Sequence, residues 1–362
     1  MKSINKIVLL NALVILLSSC SNNKENPLSS RSFNFSYSVE IPSSGKNKLE
    51  IWIPIPSSNQ VQKISNLKID VGNLDYTIKK ELSHGNQYIY IYSENGTSIT
   101  SKILINFNVK RNEHKNIIYD KIDSTSYLDS YSMVPVGDIF SQVILDNNLS
   151  SNNIRGVYNF VLNGMHYGKP KESSAEDQYY SGINPRTNKK WLSSKNSYGL
   201  KEVSLDKVVS LYKESKMSNE NYTFGNGNSI YACDIGVGNC TDYHSYFISL
   251  NRTLNVPTRF HMGFPISSAS KGNVSGYHCW ADYYIKGEGW YPVDISEADK
   301  NPSEIDYYFG TICENRLEIS VGRDLFLDGH NGGPVNLFIY PILEINDMES
   351  NNFTKTFTYK DN

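Results

Sequence analysis

Charge of one sign is scarce in this chain of 362 residues: 35 basic against 37 acidic side chains leave a formal net charge of −2. No basic run exceeds three residues, so the electrostatic footprint of a nucleic-acid binder is missing. Long apolar runs are also lacking. The one candidate, Ile7 to Leu17, is too short to span a bilayer as a helix. Cysteine is sparse at five residues, with no C-x-x-C pair, which argues against a structural zinc site even though Cys233, Cys240, His244, His278 and Cys279 lie close in sequence. No acidic loop of the calcium-binding pattern occurs, and there is no internal repeat or low-complexity tract. The reading therefore calls for no metal and no cofactor. Tyrosine is the abundant aromatic, at 26 residues, and scattered tyrosines serve as half-buried packing residues or a wet rim.

What is present begins at the N-terminus. Lys2 and Lys6 precede the apolar stretch, which only Asn11 interrupts, in the shape of a secretory signal. The following Leu17-Ser18-Ser19-Cys20 resembles a bacterial lipoprotein signal cleaved before Cys20 and lipidated on that thiol. Residues 1–19 are thus expected as a signal peptide and residues 20–32 as a solvated tether. The expected location is the cell envelope, at the periplasmic or surface face of an outer membrane, with the lipid as the only membrane contact. In an oxidising compartment a free Cys240 leaves Cys233, Cys279 and Cys313 for at most one disulfide.

The remaining length, roughly 340 residues, suggests two domains. Over residues 33–111, short runs of period two (FNFSYSVEI, KLEIWIPIP, KISNLKIDV, YTIKKELS, QYIYIYSE, SITSKILINFNVKR) alternate with turns such as Ser43-Ser44-Gly45 and Asn95-Gly96. They predict an antiparallel β-sandwich with no titratable cluster. Residues 112–350 form the second domain, and 351–362 are read as a tail. Asp138 and Ser151 are expected to cap two helices, the second presenting Ile154, Val157, Phe160 and Val161 on one face. Residues 171–200 read as a surface excursion, and SLDKVVSLYKES (204–215) as a short helix. A helix from Cys240 to Leu254 is followed by strands over 258–264, 277–285 and 290–295, so the domain is α+β.

Gly236-Val237-Gly238-Asn239-Cys240-Thr241-Asp242 places a cysteine at the first turn of that helix, where unpaired N–H groups and the dipole favour a thiolate. A cysteine nucleophile needs a base, and the base needs a group to fix its tautomer; His278 and Asp294 supply both residue types on adjacent strands. A two-residue hairpin loop would set Asp294 opposite Ala281 and turn it away from His278. A three-residue loop over Lys286 to Glu288 sets it opposite Trp280 and on the face of His278, so an odd loop or bulge is predicted. The segments GNCTDYHSYFISLNRTLNVPTRF and GYHCWADYYIKGEGWYPVDISEA, carrying these residues in order, resemble the transglutaminase-like superfamily, whose fold is related to that of papain-like thiol proteases.

The resemblance implies a papain/transglutaminase-like core, with a helix bearing Cys240 packed on an antiparallel sheet bearing His278 and Asp294. It implies a Cys-His-Asp triad that attacks a carboxamide through a thioester acyl-enzyme, and a peptide or protein as substrate. Hydrolysis is the expected outcome, with cross-linking acyl transfer and a non-catalytic surface binding or assembly protein as alternatives. The Cys240 backbone N–H is an expected oxyanion donor. Tyr231 and Trp280 are the candidate substrate-binding residues. Cys279, next to His278 on its strand, is expected to face away from it toward packing. Asp242 and Asp282, the latter standing where the family often has Glu, are read as solvated or capping acids.

Overall fold

The computed structural model describes residues 28–119, 121–167, 183–184, 189–190 and 221–362, with isolated positions between 210 and 217. Cys20 and its signal, and almost all of the excursion over 171–200 and the helix over 204–215, lie outside the described residues. All six expected N-terminal strands form: β1 (Ser30–Ile41), β2 (Leu49–Ile55), β3 (Gln62–Asp70), β4 (Tyr76–Lys80), β5 (Gln87–Ser93) and β6 (Ser101–Asn112). In β1 the alternation is literal, with Phe33, Phe35, Tyr37, Val39 and Ile41 buried and the residues between them more exposed. Strand β2, LEIWIPI, is buried throughout because it runs inside its sheet.

Helices α1 (Ile139–Asp146) and α2 (Ile154–Gly164) follow. Asp138 stands at the N-cap position of α1 but makes no capping bond, and the cap of α2 is Asn153, not Ser151, its side chain accepting from the Gly156 N–H at 2.9 Å. Three short strands, β7 (His166–Tyr167) and the antiparallel pair β8–β9 (Ile183–Asn184, Lys189–Lys190), come next. Helix α3 (Ser229–Ile235) and strand β10 (Val237–Gly238), which pairs in parallel with β7, then lead into helix α4 (Cys240–Thr253). A four-stranded antiparallel sheet has the order β14-β13-β11-β15, from β11 (Thr258–Pro265), β13 (His278–Ile285), β14 (Gly289–Val293) and β15 (Arg316–Val321). Helix α5 (Ile295–Lys300) leaves β14 directly. The architecture is α+β, as expected.

The C-terminus departs from expectation. Residues 351–362 are no tail: β18 (Thr354–Asp361) pairs antiparallel with β1, Tyr37 opposite Phe357. With β12 (Lys271–Asn273) it completes a five-stranded sheet of order β12-β18-β1-β6-β3. A second sheet, β17-β16-β2-β5-β4, recruits β16 (Ile342–Ile345) and β17 (Met348–Glu349) in the same way. The N-terminal β-rich region is therefore closed by strands from the other end of the chain. Phe35 stacks on Phe264 of β11 at 5.5 Å, and Phe264 meets Phe357 at 4.5 Å, so one apolar core runs through both regions.

Candidate active site

The start of α4 is built by its own sequence. Gly236, at φ +68°, ends α3 in the left-handed conformation that glycine favours. A Cβ on Gly238 would fall 2.5 Å from the Cβ of Asp242, so only glycine allows the chain to approach so closely there. The Asn239 side chain accepts from the Thr241 N–H at 2.8 Å, and the Asp242 carboxylate returns to the Asn239 N–H at 2.9 Å, a reciprocal cap. The same carboxylate takes the N–H groups of Gly225 (2.9 Å) and Gly227 (3.1 Å), so Asp242 is a buried capping acid that also ties down the preceding loop. Cys240 is thereby fixed as the first residue of the helix, 3% exposed.

The hairpin β13–β14 pairs Ile285 with Gly289, leaving the three-residue loop Lys286–Glu288, the odd count required for His278 and Asp294 to meet. Ala281 pairs with Val293, so Asp294 emerges beside Trp280. His278 Nε2 lies 2.6 Å from Asp294 Oδ2. The other Asp294 oxygen accepts from Ser296 Oγ (2.9 Å) and the Glu297 N–H (3.0 Å), capping α5. With Nε2 engaged by the carboxylate, Nδ1 is the ring nitrogen left to face the Cys240 sulfur, whose anion the His278 charge favours. Burial works against charge on His278, but the Asp294 carboxylate outweighs it and lifts the imidazole to about 9. Burial likewise opposes a Cys240 thiolate, yet hydrogen bonds from Cys279 and His278 and the His278 charge bring the thiol well below its usual value. Asp294 is held well below the carboxylate range by His278 and Arg316 in spite of burial. The directions of these three shifts favour thiolate, imidazolium and carboxylate forms.

Several neighbours were not foreseen. Arg316 on β15 places Nη2 3.5 Å from Asp294 Oδ2 and 3.7 Å from Glu297 Oε1, and Glu297 Oε1 lies 3.8 Å from His278 Nε2. His244, one turn after Cys240, sets Nδ1 2.7 Å from the Cys240 carbonyl oxygen, while its Nε2 accepts the Ile295 N–H at 3.1 Å. It joins the helix of the thiol to the turn of the acid. Its i+4 spacing from Cys240 was visible in the sequence; its partner at the start of α5 was not. Cys279 is wholly buried in the apolar core, as the packing reading expects, on the side of its strand turned to α4, and its sulfur lies 3.9 Å from His244 Nδ1.

Among the described residues, two groups have the side chains to hold a metal ion: His278, Asp294 and Glu297, and Glu50, Glu344 and Asp347. Cations already face both, Arg316 the first and Lys48 the second, so neither is a cluster of uncompensated acids. The two substrate-wall candidates do not reach a surface. Trp280 is wholly buried, its ring parallel to that of His261 (1° between planes, centroids 5.7 Å apart), because its place on β13 turns it to the opposite side of the sheet from Cys279. Tyr231 is buried in α3, edge-on to Tyr222 at 5.6 Å. Asp282 is not solvated either: it makes a two-pronged ion pair with Arg259 and meets His261 Nε2 at 3.1 Å. A cavity of about 550 Å³ opens on this rear face, lined by Asn59, His84, Tyr119, Arg259, His261 and Glu318.

Residues 194–295 match the transglutaminase-like superfamily, and this span holds Cys240, His278 and Asp294. The chain carries a transglutaminase-like core. An uncharacterised protein of Haemophilus influenzae is 30% identical over 155 residues, 34% of this chain, and the chain spans only 42% of that relative's length. A candidate cysteine protease from Cytophaga hutchinsonii superposes over 92% of this chain and 100% of its own, with TM-score 0.47 and 11% identity. A candidate protease from Parabacteroides distasonis covers 87% of this chain and 47% of its own, with TM-score 0.21 and 6% identity. The transglutaminase-like core is thus the part of the chain with a family signature, and the flanking strands close around it.

Proposed function

We propose that the protein is a cysteine hydrolase of the protease type, acting on amide bonds of peptides or proteins through Cys240, His278 and Asp294. The observation that carries this reading is His278 set between the Cys240 sulfur and Asp294, with its Nε2 2.6 Å from the carboxylate. In the proposed reaction the Cys240 thiolate attacks the amide carbonyl, and the Cys240 backbone N–H at the helix start faces the developing oxyanion. The His278 imidazolium gives its proton to the leaving amine, leaving a thioester. Neutral His278 then takes a proton from water as the water attacks that thioester, and the acid product departs with the thiolate restored. Asp294 holds the ring and stabilises its charge in both halves. If an amine rather than water accepts the acyl group, the same site acts as a cross-linking acyltransferase.

The lipid anchor at Cys20 belongs to this proposal. It would hold the site at the cell envelope, and exchange of Cys20 for Ala should release the protein from the membrane fraction.

The deciding test is peptide-resolved alkylation of Cys240 by iodoacetamide as a function of pH, for the wild type and His278→Ala. The expected midpoint lies below the free-thiol value of about 8.5 and rises in the variant. A midpoint near that of a free thiol, unmoved by the substitution, would refute an activated pair. With activation in hand, a peptide library read by mass spectrometry, with and without a primary amine, separates hydrolysis from acyl transfer.

A further inference from the structure

We propose that Arg316 is a positioning residue for the catalytic imidazole: it shares the Asp294 carboxylate with His278 and so loosens the hold of that carboxylate on the ring proton. The inference rests on the reading of His278 as the acid that serves the leaving amine.

A local irregularity of the sheet brings Arg316 there. Strand β15 pairs with β11, and the register between them shifts at Met262/Gly263. Gly263 stands opposite His278 on one side and Glu318 on the other. A Cβ on it would fall 1.9 Å from the Leu317 carbonyl oxygen, so this close passage of β15 requires glycine. Arg316 and Glu318 take one side of β15, the side on which Glu318 meets His261 at 2.9 Å. His278 takes the same side of β13 as Trp280, whose ring stacks on that histidine. With only a glycine in the row between them, Arg316 and His278 converge on one carboxylate.

The distances describe the sharing. Arg316 Nη2 lies 3.5 Å from Asp294 Oδ2, the oxygen that His278 Nε2 meets at 2.6 Å. Glu297 Oε1 closes the circuit, 3.7 Å from Arg316 Nη2 and 3.8 Å from His278 Nε2. Only 7% of the Arg316 side chain is exposed, so water and salt screen these contacts little.

An oxygen that serves two cations serves each less well. The guanidinium draws on the charge of Oδ2 and repels a positive ring across it, in opposition to Asp294. The other charged neighbours do not act in this sense. Asp294, Glu297 and the Cys240 thiolate all favour the cation, His244 on α4 is kept neutral by burial, and Lys300, partly exposed, is engaged by Glu297 at 2.6 Å. A general acid transfers its proton best when the proton is not held far more firmly than the working pH requires, and Arg316 moves His278 in that direction.

The test is an NMR titration of the His278 ring in the full-length chain, wild type against Arg316→Gln and Arg316→Lys. The glutamine keeps an amide donor without the charge, and the His278 midpoint is expected to rise from about 9 by roughly 1 pH unit. The lysine keeps the charge and should leave the midpoint close to that of the wild type. A residue that merely braced the carboxylate would give the opposite sign, because an Asp294 free to turn from the ring lets the midpoint fall. Should Arg316→Gln not fold, the same step is read between Glu297→Gln and the double variant Glu297→Gln/Arg316→Gln, which removes one charge of each sign.

A midpoint that falls or stays in place on loss of the guanidinium, or a lysine variant that shifts as far as the glutamine one, would overturn the proposal. A wild-type midpoint at or below the unperturbed value of about 6.5 instead removes the functional reading beneath it, so the two failures are told apart within one experiment.

Discussion

At the scale of single residues, the site depends on one imbalance: burial penalises every charge in it, and mutual contact outweighs that penalty. His278 is the pivot. Burial alone would push its proton off, yet Asp294 lifts it to about 9, so the ring is cationic at neutral pH and can serve as the acid for a departing amine. Because the folded value is raised, the proton is lost as pH rises through about 9, which predicts an alkaline limit there for the proposed activity. Asp294→Asn keeps the shape and removes the anion. An NMR titration of the His278 ring should then show its midpoint falling toward or below the unperturbed value of about 6.5. An unmoved midpoint would mean that the carboxylate does not face the ring in solution. Arg316, 3.5 Å from the same carboxylate, is the other cation that such a variant deprives of one partner, with Glu297 still 3.7 Å away.

At the scale of elements, local rules carried far and stopped at long-range partners. The six N-terminal strands were legible from period two, α4 from its glycine-rich entry and apolar face, and the odd hairpin loop from the demand that His278 and Asp294 meet. The partners of Cys279 and His244 went unforeseen for a single reason: sequence gives the face of a strand or helix but not which element covers that face. The segment 351–362 failed in the same way. Its alternation, TKTFTYKD, is that of a strand, but a polar edge strand near a terminus has little in its composition to announce a partner more than 300 residues away. Its removal makes a prediction. Truncation after Ser350 bares the edge of β1 and takes away Phe357 and Tyr359, both buried, the first against Tyr37 at 4.4 Å and Phe264 at 4.5 Å. At roughly 1.5–3 kcal/mol for each large side chain, together with the lost ladder, the loss is a large part of the stability of an ordinary domain. The truncated chain should be insoluble or bind ANS with weakened near-UV circular dichroism; a soluble product with an unchanged melt would show that β18 is dispensable.

At the scale of the whole molecule, the β-rich region and the transglutaminase-like core meet through a polar layer as well as an apolar one, and that layer should govern the response to acid. His114, just beyond β6, exchanges backbone hydrogen bonds with Ile312 at 2.8 Å in each direction, which ties the two regions together. Its ring is wholly buried near Arg111, with neither nitrogen hydrogen-bonded, and burial followed by the Arg111 charge pushes its pKa down to about 3. The unfolded chain takes up that proton near pH 6.5, whereas the folded chain refuses it until about pH 3. Stability is therefore lost as pH falls through this window, with a ceiling on the order of a few kcal/mol. The carboxylates act lower down: Asp282 and Asp294 have folded values held below the usual range, so their contribution fades only once pH drops beneath the unfolded carboxylate value of about 4. His261 runs the other way, its pKa being raised between Asp282 and Glu318 despite burial. The His114→Phe variant should accordingly show a flatter dependence of melting temperature on pH between about 6.5 and 4.5 than the wild type, with the steep acid limb below that window retained. Parallel curves for the two proteins would mean that the ring is reached by water and titrates normally, and that the joint between the regions is looser than its backbone hydrogen bonds indicate.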